Sequence, residues 1–476
     1  MSVRVYNSLT RKKEPFEPLH PPQVNMYTCG VTVYDECHIG HARSLYIFDV
    51  MRRYLTYRGY QITLVRNITD IDDKIINRAK ELKISWSELT EKCVKSYYQD
   101  LDSLRISKAD YEPRATENIP EMIKHIEGLI AKGYAYTTET GVYFRVRDFK
   151  DYGKLSGQGI DAMRSGARKE PDETKEDALD FALWKKSKPD EPFWESPWGK
   201  GRPGWHIECS VMSAKYLKTE TLDIHAGGRD LIFPHHENEI AQSEALSGKP
   251  FAGYWLHHGL LTINNQKMAK SLGNFITIKD FIEKHHNADF LKLFFLSAHY
   301  AHPMDYTDKK IEEAKTALER FHILLRKAQL IVRDQRTPGI RFPIKTVDFV
   351  EKHRQRFIEA LDDDFNTPVA LSCLFDLVNE TNKFIDSEKH NPRYTEVIYR
   401  ACEDTILELG NKIFGLFDDL SWEPLNDEEK GLLEERLKAR HNKDFKASDS
   451  FREELRKKGI IVEDTKDGQS HRRIVG

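Results

Sequence analysis

Six cysteines in 476 residues are too few to staple a chain of this length, which excludes a disulfide-built scaffold. Charge of one sign is also missing. The formal net charge is -3, so no global basic field advertises a polyanionic partner, and any surface for one must be local. No apolar run approaches the ~20 residues needed to cross a bilayer. The start, MSVRVYNSLTRKKEPFEP, has no apolar signal core. Together these absences exclude a membrane partner and predict a soluble, cytoplasmic protein. A Walker-type GxxxxGK[ST] is absent, which excludes phosphate handling of the P-loop kind. HExxH is absent too, which argues against a zinc hydrolase built around His235-His236-Glu237. The chain has no internal repeats or low-complexity segments.

What is present is a chain long enough for about three domains, with 39% hydrophobic and 31% charged residues. Its first part alternates strand and helix. Val24–Thr28 reads as a strand running into Cys29-Gly30. A helix is expected from near His41 to Gly59, with Leu45, Phe48, Met51 and Leu55 on one face. Gln61–Ile68 reads as the next strand and Asp72–Leu82 as the next helix. This βαβ rhythm implies a parallel sheet whose ligands gather at the carboxyl ends of the strands. Residues 1–111 are thus the first half of an α/β domain, and 112–204 break the pattern as an insertion. The insertion carries a hairpin (Ala135–Thr138 and Val142–Val146), a polar glycine-bearing segment, and a loop with Pro189, Pro192, Pro197 and Pro203. Residues 205–307 return to strands and helices. Over 308–420 a helical bundle is expected: Ile311, Ala314, Leu318, Phe321 and Leu325 form a +3/+4 stripe. Arg333–Lys345 is a connector, and Thr367-Pro368 has the chemistry of an N-cap and N1 pair. Residues 421–476 form a small charged domain.

Two short motifs carry nucleotide chemistry. His38-Ile39-Gly40-His41 falls at a strand-to-helix turn, where unpaired backbone N–H groups and the positive helix end suit phosphate. Gly40 lets a nucleotide approach the backbone, and two imidazoles can donate hydrogen bonds as charge develops. Read alone, the motif is equally a pair of surface histidines. Far downstream, Lys267-Met268-Ala269-Lys270-Ser271 follows an Asn264-Asn265 turn. Two ammonium groups on one loop can hold a leaving pyrophosphate as point charges, although a lysine pair by itself is usually a solvated face. A third set, His235 and Glu239, is spaced to share one helix face. With Cys29 and Cys209 they would make two thiolates, an imidazole and a carboxylate, a set able to hold Zn²⁺. His236 competes with His235, and spacing alone leaves open whether the two distant cysteines are ligands or core residues.

HIGH followed by a KMSKS-like pentad resembles the paired signatures of class I aminoacyl-tRNA synthetases. YTCGVTVYDECHIGHARS, NITDIDDKII, SPWGKGRPGWHIECS and FPHHENEIAQS narrow the resemblance to the cysteinyl-tRNA synthetase family. LSAHY, FNTP, and a tail containing KDF and GIIVEDT extend it over almost the whole chain. The resemblance implies a Rossmann-like catalytic domain with an inserted connective region, a tRNA-binding helical bundle and a C-terminal anticodon-binding domain. It implies that His38, Gly40 and His41 bind ATP, the histidines stabilising the α-phosphate as adenylate forms, and that Lys267 and Lys270 hold the β- and γ-phosphates. Ala269 stands where serine is usual. It places one Zn²⁺ on Cys29, Cys209, His235 and Glu239, and puts Gly30, Thr69, Trp205 and Asp230 around the substrate cysteine. Mg²⁺ is expected with ATP. The implied partners are L-cysteine, ATP and tRNA(Cys), and the default state is a monomer.

Other readings remain beside this one. The Asp70, Asp72, Asp73 cluster suits a helix N-terminus better than a metal. Cys37 has no assigned role. Arg436, Lys438, Arg440, Lys443 and Lys446 are either phosphate contacts or a solvated helix face. His471 stands where the family often has tryptophan, which bears on anticodon stacking. Rival functions are a cysteine-adenylating ligase with a small-amine acceptor, as in mycothiol synthesis, and a non-catalytic RNA-binding paralogue. The long basic C-terminal part argues against the first, and the intact HIGH histidines and pentad lysines argue against the second.

Overall fold

A computed structural model describes residues 2–160, 174–334, 348–386, 392–417, 426–458, 460–465 and 468–473. Four parallel strands form its central sheet, in the order Ala252–His258, Leu222–Gly228, Gln23–Thr32, Gln61–Thr69. They are largely buried, as the strands of an all-parallel sheet are. Every residue of Leu222–Gly228 is buried. The backbone at Tyr111 and Arg114 adds parallel bridges to Val65 and Ile68 at one edge. Strand order reverses between Gln23–Thr32 and Leu222–Gly228, so the crevice at their carboxyl ends is the topological switch point where such sheets bind ligands.

Small departures from the expected elements have local causes. The helix expected near His41 runs Ile39–Tyr57, starting earlier because the His38 side chain caps it. It ends at Arg58, before Gly59 at φ +93°. Leu45, Phe48, Met51 and Leu55 are buried along it. Asp72 is not the first helical residue but the N-cap of Asp73–Leu82, accepting from the Lys74 N–H at 2.9 Å. Asp73 sits in the first turn and pairs with Lys185 and Arg202. Thr367 does not cap its own helix: Asn366 Oδ1 accepts from the Val369 N–H, and the Thr367 hydroxyl donates to the Ala298 carbonyl.

Residues of the inserted stretch build a helix, Ile119–Ala131, and a separate antiparallel sheet ordered Ala135–Thr137, Gly141–Phe144, Phe181–Lys186, Gly201–Pro203. The expected hairpin is there, with shorter strands. The proline-bearing loop supplies the last strand, closed by a Trp194–Gly201 bridge. Asn264 and Asn265 turn a hairpin between Leu261–Ile263 and Gln266–Lys267, both at positive φ (50° and 60°), the geometry of a two-residue type I′ loop.

Helices Asp308–Asp334, Asp348–Asp362, Thr367–Asp386 and Pro392–Ile406 form the bundle, and all five residues of the predicted stripe are buried. Most of the expected connector lies outside the described residues. Beyond it, helices Asp427–His441 and Phe445–Lys457 pack on a hairpin, Ile460–Thr465 with Gly468–Arg473, around Leu433, Leu455, Ile460 and Val462. One expectation fails here. Arg436 is 0% exposed and donates to Gln469 Oε1 at 2.7 Å, so it belongs to this small core and not to a phosphate-facing surface. Lys438, Lys443 and Lys446 are exposed. The His471 side chain lies outside the described residues. Among those residues no helix is long and apolar enough to cross a membrane.

Candidate active site and metal centre

The metal candidates converge from three elements. Between Thr28 and Val31 the Gln23–Thr32 strand slips register against Gln61–Thr69, a bulge that places Cys29 and Gly30 at the irregularity. Gly30 is required there: a Cβ would lie 1.5 Å from the Asn67 carbonyl oxygen. Its N–H donates to Asn67 Oδ1 at 2.8 Å, which pins the bulge. Cys209 comes from the helix Trp205–Leu217. His235 lies in a wide turn, Ile232–His236, that runs directly into the helix Glu237–Ser247 bearing Glu239.

Their donor atoms gather within reach of one ion. Cys29 Sγ lies 4.0 Å from Cys209 Sγ and 3.7 Å from Glu239 Oε1. His235 Nε2 lies 3.6 Å from Cys209 Sγ and 2.8 Å from Glu239 Oε1. Around zinc, bonds of about 2.0–2.3 Å set two sulfurs about 3.8 Å apart, and a sulfur about 3.5 Å from a nitrogen or oxygen. The residues therefore fit a metal ion. A second set, Cys29, His225, His236 and Glu239, also clusters. Cys29 Sγ lies 3.2 Å from His236 Nε2, so distance does not separate the two sets. His225 Nε2 engages the other carboxylate oxygen, Glu239 Oε2, at 2.5 Å, while His206 Nδ1 meets His235 Nδ1 at 2.9 Å. Such partners orient a ligand without being one. His236 is tied through Nδ1 to His257 Nε2 at 2.8 Å, and that ring to Ser8 Oγ. Burial pushes the Cys209 thiol up, but its hydrogen bonds to Cys29 and His235 bring it down to about 6. Burial, the Cys209 hydrogen bond and the nearby negative charges push Cys29 well up.

Trp205 and Thr69, expected near a substrate, adjoin this centre. Trp205 opens its helix, 36% exposed, with its ring stacked on His235 at 4.0 Å. The Thr69 hydroxyl is already engaged: it donates to Glu208 Oε2 at 2.6 Å and accepts from Asn67 Nδ2. Glu208 is buried, and burial holds its carboxyl well above the usual range. Asp230 is exposed just past the end of Leu222–Gly228. Asn67, His206, Glu208 and His225 escape a reading of spacing. His206 and Glu208 sit inside GWHIECS and Asn67 inside NITD, but His225 lies in a buried strand with no pattern to mark it.

At the nucleotide motif the structure corrects one expectation. The helix N–H groups are not left open: Gly40 and His41 donate to His38 Nδ1 at 3.0 and 3.3 Å, and Ile39 donates to the Ile276 carbonyl. In return the His38 N–H donates to His41 Nδ1 at 3.2 Å, completing a reciprocal cap. The rings stack at 3.8 Å. Gly40 is needed for this cap, since a Cβ would meet the His38 ring at 2.8 Å. Burial lowers His38 to about 4 and His41 to about 3, so both rings are neutral. With Nδ1 accepting, the ring proton of each sits on Nε2, leaving an N–H donor directed away from the backbone. The lysine loop is fastened alongside. His38 bridges Thr277, the Ile278 N–H donates to the Cys37 carbonyl, and Lys270 pairs with Asp35. Lys267 is exposed at the end of its hairpin.

Neutral burial has a pH signature. An unfolded imidazole takes its proton near pH 6.5, whereas His41, His38 and His258 do so only near pH 3 to 4 in the fold. Between these values the unfolded state binds more protons. Stability from these groups is therefore present above about pH 6.5 and falls as pH drops toward 4, by up to about 1.4 kcal/mol per pH unit for each protected ring. Urea unfolding midpoints should decline from pH 7 to pH 5, and His258→Gln should flatten the decline.

A capped HxGH turn and a lysine-bearing hairpin, fastened together at the switch point of a parallel sheet, define the active-site class of a class I aminoacyl-tRNA synthetase. Residues 15–316 match the tRNA synthetases class I (C) catalytic domain, 356–418 the DALR domain, and 423–472 the cysteinyl-tRNA ligase anticodon binding domain. The cysteine–tRNA ligase of Persephonella marina is 50% identical, covering 98% of each chain. That of Aquifex aeolicus is 47% identical over 100% of both. The chain belongs to the cysteine–tRNA ligase family of class I synthetases. Mycobacterium tuberculosis methionyl-tRNA synthetase in complex with methionyl-adenylate shares the fold, with TM-score 0.64 at 14% identity over 83% of this chain and 92% of that one.

Proposed function

We propose that this chain activates L-cysteine with ATP and transfers it to the 3′-terminal adenosine of tRNA(Cys). The observation that carries the reading is the pairing of a thiolate-rich cluster able to hold a metal with a nucleotide turn at the carboxyl ends of one parallel sheet. In the first step the cysteine carboxylate attacks the α-phosphorus in line and pyrophosphate leaves. The Nε2–H groups of His38 and His41 stabilise charge on the α-phosphate, and Lys267 and Lys270 draw on the departing phosphates, with Mg²⁺ accompanying ATP. Lys270 must release Asp35 to do so. The pair is half exposed (50% and 21%), so parting it costs no more than about 1 kcal/mol. In the second step a ribose hydroxyl of tRNA attacks the adenylate carbonyl and AMP leaves.

Cysteine and serine differ by one atom, and pocket shape separates such pairs by only about 1–3 kcal/mol. Held by Cys29, Cys209, His235 and Glu239, Zn²⁺ would supply a borderline-soft Lewis acid that takes a thiolate over a hydroxyl. Trp205 walls the pocket over His235, Gly30 lies beside the substrate cysteine, and Thr69 and Asp230 lie toward its amino group. His225 and His206 hold two of the donors in orientation. The matched anticodon-binding domain supports tRNA over a small amine as acceptor. Charging of tRNA(Cys) with radiolabelled cysteine tests this. Charging supports the reading; adenylate formation without charging of that tRNA overturns it in favour of the small-amine ligase.

A further inference from the structure

Arg43 lies two residues beyond His41 on the same helix and is 0% exposed. Its guanidinium faces backbone carbonyls. Nη1 donates to Gly259 and Leu260 at 2.7 and 2.8 Å, and Nη2 donates to Tyr300 and His302 at 3.2 and 2.5 Å. These carbonyls belong to two segments that run side by side in parallel. Gly259-Leu260 leads into the Leu261–Lys267 hairpin, whereas Tyr300–His302 leads through the strand Met304–Tyr306 into the bundle. The pairing is tight. The Gly259 N–H donates to the Tyr300 carbonyl, the Met304 N–H to the Leu260 carbonyl, and a Cβ on Gly259 would lie 2.2 Å from the His302 carbonyl.

Among the described residues its hydrogen-bond partners are all peptide carbonyls, and a buried cation so held is costly, so an apolar side chain would serve better if packing were the only task. A planar fork with several fixed donors is what distinguishes arginine for holding separate acceptors in one geometry. The far end of the lysine loop is already fastened to the nucleotide turn by the His38–Thr277 bridge and the Ile39 to Ile276 hydrogen bond. Its near end has no such backbone bridge to that turn among the described contacts, and Arg43 occupies that place.

We propose that Arg43 is a positioning residue for ATP activation: it fixes the root of the lysine hairpin to the helix that begins at the HIGH turn. Lys267 and Lys270 then close on the same nucleotide that His38 and His41 hold. This rests on the adenylate-forming role proposed above. Misplacement of reacting groups by about 1 Å costs about 10²-fold in rate.

The test uses the full-length, zinc-loaded enzyme and Arg43→Lys, whose ammonium keeps the charge but offers three donors and no fork. ATP–pyrophosphate exchange should show kcat lower by about 10²-fold, with KM for cysteine and metal content within twofold of the parent. Tryptic cleavage after Lys267 and Lys270 should be faster. Gly259→Ala leaves Arg43 in place and pries the same pair of segments apart, and it should give the same pattern. Overturning results are a folded Arg43→Lys or Gly259→Ala enzyme with kcat within threefold of the parent, or losses of kcat, cysteine KM and metal content in equal proportion, which indicate a structural role alone. Absence of exchange in the parent enzyme would instead remove the adenylate reading itself.

Discussion

Cys209→Ala should strip the enzyme of its metal and lower cysteine-dependent ATP–pyrophosphate exchange by about 10³-fold or more. Cys209 is 1% exposed and meets both Cys29 and His235. Removing its sulfur leaves three donors, only one of them soft, and opens one side of the cage. Substitution of an outer partner of a metal ligand already costs about 10–100-fold in affinity or activity, and a ligand costs more. His225→Ala is therefore the graded comparison. It leaves all four donors but frees Glu239 Oε2, and metal affinity should fall within that smaller range. Cys209→Ser keeps the shape but offers a harder oxygen, and it should behave like the alanine variant. Metal per chain by elemental analysis, with exchange rates and thermal melts on the same samples, separates loss of metal from loss of fold.

Lys270→Ala should leave cysteine binding and metal content unchanged while exchange kcat drops about 10²–10³-fold, the usual effect of deleting one donor aimed at transition-state charge. Lys270 sits on the loop side of the site, paired with Asp35 and over the Phe275 ring. Neither contact touches the metal cage. Methionine at the same position would keep the ring contact without the charge. If Lys270→Met retained full kcat, the lysine would be a packing residue. Exchange kinetics with varied ATP and saturating cysteine provide the readout.

Much of this was legible because the chemistry lies in contiguous words. Cys29 and His38 adjoin a strand and a helix whose patterns are readable, and i,i+4 spacing brings His235 to Glu239 although His235 lies in the turn before the helix. Other features depend on contacts that no spacing encodes. Arg436 reads as one of a basic series, yet it faces inward because the helix it sits on turns it toward Gln469. The HIGH turn reads as open backbone donors, but a side chain from its own first residue closes them. His225 lies 14 residues before Glu239, on a strand, and reaches it only because the sheet and the following helix fold back on each other. Arg43 looks like an ordinary helix residue until the two paired segments, 216 and 259 residues away, are brought to it.

The most direct measurement is ATP–pyrophosphate exchange with cysteine and with serine, on the zinc-loaded enzyme and again after chelation. The predicted result is exchange with cysteine alone, abolished by chelation and restored by added Zn²⁺. Exchange with serine at a comparable rate, or cysteine exchange that persists in metal-free folded protein, would contradict the assignment of the Cys29, Cys209, His235, Glu239 cage as the element that selects the substrate.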